Sequence, residues 1–120
     1  MSFAQVFEEL EIWQGARSQN KLTYQRFASC KDYAFRDQIQ RAALSVMNNI
    51  AEGFERDTAK DFAHFLDLAK GSCGEVRSLL WVAEDLRYLS SDEAAAARAS
   101  ARELSCKIAA FTKHLRPRPQ

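Results

Sequence analysis

Glycine and proline are scarce in this sequence. Four glycines and two prolines occur in 120 residues, and both prolines, Pro117 and Pro119, fall in the last four. Little in the body of the chain breaks a helix, which favours an all-α fold. Cysteine is sparse too. Cys30, Cys73 and Cys106 leave one thiol unpaired under any disulfide scheme, and no Cys-x-x-Cys pair exists. That fits a reducing compartment, so a cytoplasmic location is expected. No apolar run approaches the length of a membrane span, and MSFAQVFEELEIW has no basic segment ahead of an apolar one. Neither a membrane contact nor a secretory signal is expected.

A strong charge excess is also lacking. Lys and Arg number 17 against 16 Asp and Glu, a net charge of +1. A domain built only to grip duplex phosphates carries a larger basic excess. The balance shifts along the chain. Residues 1–57 are net −1, residues 58–90 net −1 and residues 91–120 net +3. The basic end is either helix-terminal charge with a solvated tail, or a contact to an acidic partner such as RNA.

What is present is helical periodicity. Apolar residues make up 47% of the chain, enough for one modest core. The pattern predicts an antiparallel up-down-up-down four-helix bundle over residues 1–116, with a short disordered tail at 117–120. A first helix over about 6 to 28 carries a seam of Leu10, Trp13, Arg17, Asn20, Tyr24 and Phe27. Asp32 is placed to cap a second helix over about 34 to 56. Thr58 with Asp61, and Ser90 with Glu93, have capping-box spacing for the third and fourth. Links this short force neighbouring helices to run antiparallel.

The second helix is unusual. Phe35, Ile39, Ala42, Ala43, Val46, Ile50 and Phe54 form one face at about 100° per residue. Leu44, Met47 and Ala51 occupy the back, and no charge occurs from Ala42 to Ala51. A polar stripe of Gln38, Arg41, Ser45, Asn49 and Glu52 runs between. A helix apolar nearly all round is buried nearly all round, so Leu44, Met47 and the stripe are expected at an interface between copies of the chain. The alternative cover is the chain's own Phe3, Val6 and Phe7. The third helix widens its core stripe with a flank of Leu68, Leu79, Val82 and Leu86, and holds Gly71 and Gly74 mid-helix.

Sites of chemistry are hard to find. Asp61-x-x-His64 is a single, weak echo of a di-metal motif, and His64 points away from the core stripe. His64 and Cys73 fall on opposite faces of one helix. No phosphate loop, dinucleotide fingerprint or nucleophile elbow occurs. No catalytic residue, metal, cofactor or small-molecule substrate is expected, and the chain reads as a non-enzyme. Arg17, Arg41 and Glu52 are expected to form a buried ion pair, with Glu52 taking one of the two arginines.

Two stretches carry a family resemblance. One is Phe35-Arg-Asp-Gln-Ile-Gln-Arg-Ala-Ala-Leu-Ser-Val-Met-Asn-Asn-Ile-Ala-Glu-Gly-Phe-Glu-Arg56. The other is Phe62-Ala-His-Phe-Leu-Asp-Leu-Ala-Lys-Gly-Ser-Cys-Gly-Glu-Val-Arg-Ser78. With Phe7-x-x-Leu10-x-x-Trp13-Gln-x-Ala-Arg17, they resemble the four-helix bundle proteins named after reading frames in intervening sequences of 23S rRNA genes. The resemblance spans roughly residues 7–89. It implies a left-handed antiparallel bundle assembled as a ring-like homopentamer. Such proteins are labelled ribosomal-protein-like. A related group serves as accessory proteins of diversity-generating retroelements, where a pentamer engages a reverse transcriptase and RNA. Many members carry proline where Met47 stands and a longer link before the second helix.

The preferred expectation is a homo-oligomer that contacts rRNA or a ribonucleoprotein. Arg26, Lys31, Arg36, Lys113, Arg116 and Arg118 are the candidate phosphate contacts, near helix ends where several copies sum their charge. The alternative is an assembly protein with a protein partner only.

Overall fold

The computed structural model describes residues 4–116. A 3-10 turn, Phe7–Glu9, precedes four helices: α1 (Glu11–Arg26), α2 (Tyr33–Phe54), α3 (Ala59–Asp85) and α4 (Ser91–Leu115). The expected tail at 117–120, with Arg118, and Phe3 lie outside the described residues.

The caps fall where side-chain chemistry puts them. Asp32 accepts from the Phe35 N–H, and Thr58 accepts from that of Asp61. Ser90 and Glu93 close a reciprocal capping box. Each satisfies N–H groups that have no partner within the helix. Acidic Asp92 and Glu93 open α4, and basic Lys113 and His114 end it, in accord with the helix dipole. α3 ends through Arg87 at φ 61, a left-handed position. The Tyr88 N–H bonds back to the Ala83 carbonyl and that of Arg87 to Glu84, the Schellman closure with arginine where glycine is usual.

Neighbouring helices run antiparallel. Between α2 and the segment of α3 with its closing turn, Phe35 meets Tyr88, Ser45 meets Ser72 and Gly53 meets Phe62 and Phe65, so one number rises as the other falls. On α3 and α4, Glu84 meets Arg98, Cys73 meets Ala101 and Asp67 meets Arg116. α1 packs closely on α2 and only lightly on α4. The result is an elongated bundle, 48 × 26 × 21 Å.

One core runs its length. Ile39, Val46 and Ile50 of α2, Leu66, Val76 and Leu80 of α3, and Leu104 and Ile108 of α4 are buried together. The expected seam of the first helix holds at its ends, where Leu10 and Phe27 are buried, and is displaced between them: Ile12, Ala16 and Thr23 are buried, whereas Arg17 and Tyr24 are exposed. The backbone of Leu10 is extended, so α1 begins after it rather than near residue 6, and Phe7 turns edge-on to Trp13 at 5.1 Å.

Candidate interaction surfaces

The polar stripe of α2 lies at its border with α3. The Asn49 side-chain amide donates to the Ser45 carbonyl at 2.9 Å and to its hydroxyl at 3.0 Å. The Ser45 and Ser72 hydroxyls bond across the helices at 2.9 Å. Four residues along, Gly53 sits so close to α3 that a Cβ there would stand 2.7 Å from the Phe65 Cβ. The Ser45–Ser72 bond and the close approach at Gly53 therefore hold α2 to α3, and Asn49 fixes the Ser45 side chain from within α2. Outside this seam, Asp37, Gln38, Arg41, Ser45, Ser72 and Glu75 line an open groove of about 620 Å³.

The expected buried ion pair does not form within the chain. Arg17, Arg41 and Glu52 are all exposed. Glu52 takes Arg56 one turn on, at 3.1 Å, as a surface pair. The Arg17 guanidinium lies 5.9 Å from the Trp13 ring centre. The stripe faces outward beyond the seam, so its charges stay hydrated and need no internal partner.

Leu44 and Met47 part company. Met47 is half-buried and packs on the core, whereas Leu44 stays 38% exposed with the 3-10 turn in place against α2. The α3 flank is exposed as well: Leu68, Val82 and Leu86 face outward, with Leu79 half-covered. Glu75, which lines the α2–α3 groove, lies on the same flank by helical spacing. Within the chain, a Cβ on Gly71 or Gly74 would meet nothing within 4 Å.

The candidate phosphate contacts are not brought together. Arg26, Lys31 and Arg36 lie where α1 ends and α2 begins, whereas Lys113 and Arg116 end α4 at the opposite end of the bundle. Several are already engaged. Arg36 lies over the Tyr33 ring at 4.8 Å and near Asp37, and Arg116 pairs with Asp67. The Glu93 carboxyl is lowered mainly by its bonds to Ser90 and to a lesser degree by the charge of Arg26. Lys70, Arg77 and Arg102, none of them among the candidate phosphate contacts, border a groove between α3 and α4. The seven-residue step from Lys70 to Arg77 was the available signal.

The thiols and imidazoles form no reactive pair. Burial pushes the Cys73 thiol upward, and it donates to the Ala101 carbonyl at 3.2 Å. His64 is exposed beside Phe65. Among the described residues no cluster of three His, Cys, Asp or Glu could hold a metal, and no helix is long and apolar enough to cross a membrane.

The model of the 23S rRNA-intervening sequence protein family matches residues 8–110. A solved protein of unknown function from the S23 ribosomal protein family of Bacteroides thetaiotaomicron VPI-5482 superposes with a TM-score of 0.79. It is 17% identical, and the match covers 85% of this chain and 98% of that one, a likeness of fold. No curated protein sequence matches the chain.

Proposed function

Because this chain belongs to the 23S rRNA-intervening sequence protein family, we propose that it works as a non-enzymatic, homo-oligomeric scaffold contacting rRNA or a ribonucleoprotein. The observation that carries the reading is the apolar surface of α2 and α3. Leu44, Leu68, Val82 and Leu86 remain exposed on a folded chain whose core is otherwise complete. Large apolar side chains left exposed on a folded chain mark an association surface. A second copy covers them and meets the stripe of Gln38, Arg41, Ser45, Asn49 and Glu52. A closed ring of five, as the family resemblance implies, leaves no such face open.

RNA contact draws on the family's name and on the +3 charge of residues 91–120. One copy carries little net charge, and several copies in a ring sum theirs. Three free thiols, Cys30, Cys73 and Cys106, suit the cytoplasm. The test is native mass spectrometry of the protein drawn from its own cells. A multiple of the subunit mass with bound RNA is the expected result. An assembly that carries only protein partners contradicts the RNA contact, and a bare monomer contradicts the scaffold.

A further inference from the structure

Along α3, Lys70, Gly74, Arg77 and Trp81 follow one another by four, three and four residues, so they form one ridge. Arg98, Arg102, Ser105 and Ala109 repeat that spacing on α4 opposite. Between the ridges lies a groove of about 620 Å³. Its floor is small: Gly71, Gly74, Ser105 and Ala109 line it, and the two glycines leave bare backbone with open space above.

Three cations, Lys70, Arg77 and Arg102, line this groove with one acid, Asp67, so positive charge is in excess there. At one end Arg98 takes Glu84 at 2.9 Å, and at the other Arg116 takes Asp67. The neighbouring acids are thus used up by arginines at the two ends. Lys70, Arg77 and Arg102, between them, make no ion pair among the described residues. In a chain with a net charge of +1, three unpaired cations on one groove are a local concentration that an anion would relieve. Trp81 stands at the Arg98 end. The guanidinium covers the ring at 3.5 Å from its centre, yet the side chain stays 53% exposed.

We propose that the α3–α4 groove seats a single strand of RNA, with Lys70, Arg77 and Arg102 on the phosphates and a base stacked on Trp81. This rests on the RNA contact proposed above and names the surface that makes it. Two packed helices lie about 8–10 Å apart, so a groove between them is too narrow for a duplex. An acidic protein partner would need a large apolar anchor in the groove, and its floor offers only small residues. Unpaired cations beside a half-open, arginine-backed aromatic ring match the way single strands are held. The groove lies on the flank of α3 away from α2, so the strand and a second copy of the chain do not compete.

The experiment measures binding of the full chain to a labelled, mixed-sequence single-stranded RNA by fluorescence anisotropy at several salt concentrations. The triple variant Lys70→Gln, Arg77→Gln, Arg102→Gln is expected to bind about tenfold or more weakly, with a salt slope shallower by about 2. Gly74→Leu fills the floor and is expected to weaken binding while the melting temperature holds or rises, since a Cβ there meets nothing within 4 Å and leucine favours the helix over glycine. In a Trp13→Phe background, RNA should quench Trp81 emission. Lys21→Gln, Lys60→Gln, Lys107→Gln, three exposed cations away from the groove, serves as a charge-matched control and should bind within about twofold of the parent. If the parent binds RNA and the groove triple binds equally well, the groove assignment falls and the RNA contact stands. An equal loss in the control triple also overturns the groove. If the parent binds no RNA at any salt, both fall together.

Discussion

Gly53 and Gly74 are both glycines inside helices, and their surroundings give them opposite meanings. At Gly53 a Cβ would press on Phe65 at 2.7 Å and on Phe62 at 3.0 Å. The backbone of α2 has to move to admit it, so Gly53→Ala should destabilise the fold by about 1–3 kcal/mol. At Gly71 and Gly74 the space is open. Alanine there should stabilise by up to about 1 kcal/mol through helix propensity alone. Urea midpoints of the three single variants check both signs. Asp32 shows a second residue-scale effect. The Tyr88 hydroxyl donates to its carboxylate at 2.5 Å, and the Phe35 N–H donates at 3.2 Å. The bond to Tyr88, then that to Phe35, holds the Asp32 carboxyl below its ordinary value, while Tyr88 is pushed up to about 12. For Asp32 the stabilisation is present above the ordinary carboxylate range and is lost as pH falls through the lowered folded value. For Tyr88 it is present below the ordinary value of 10.0 and is lost as pH rises towards about 12. In Tyr88→Phe the Asp32 titration followed by NMR should move upward. An unmoved midpoint would show that the hydroxyl does not set it.

At the scale of elements, the helix starts were plain in the sequence. Asp32, Thr58 and Ser90 each cap the helix expected of them, because a short acceptor side chain ahead of an apolar repeat has one favourable use. The core face of α2 follows its periodicity. The α1 seam keeps Leu10 and Phe27 and misses between them, because Ala16 and Thr23 are small or polar and Trp13 and Tyr24 are large. The larger residues drew the pattern one position away from the buried line. The buried ion pair failed for a related reason. Periodicity gives an angle around the helix axis, and it cannot say how deep the neighbouring helix sits at that angle. The α3–α4 cations went unread because they come from two helices whose facing ridges only the packing aligns. The turn between those helices gives an element-scale prediction. Arg87 occupies a left-handed position that costs a side chain about 1–2 kcal/mol. Arg87→Gly should raise stability by about 1 kcal/mol in a urea titration and leave the helix content unchanged. No gain would mean that the arginine side chain offsets the strain by contacts of its own.

For the whole molecule, the folded chain is a rod with an unfinished side. Its helices satisfy their own backbone, and its core is filled, yet Leu44, Leu68, Val82 and Leu86 stay in contact with water. These side chains do little for the single fold, so replacing them should shift its stability by no more than about 0.5 kcal/mol. Val82→Glu with Leu86→Glu is therefore expected to keep the circular-dichroism spectrum and lose the assembly, as charge enters an apolar contact. The most direct test of that claim is sedimentation velocity on the unmodified chain from low to high micromolar concentration. One species at a fixed multiple of 13.6 kDa, unchanged across the range, is the predicted result. A species of 13.6 kDa at every concentration would contradict it.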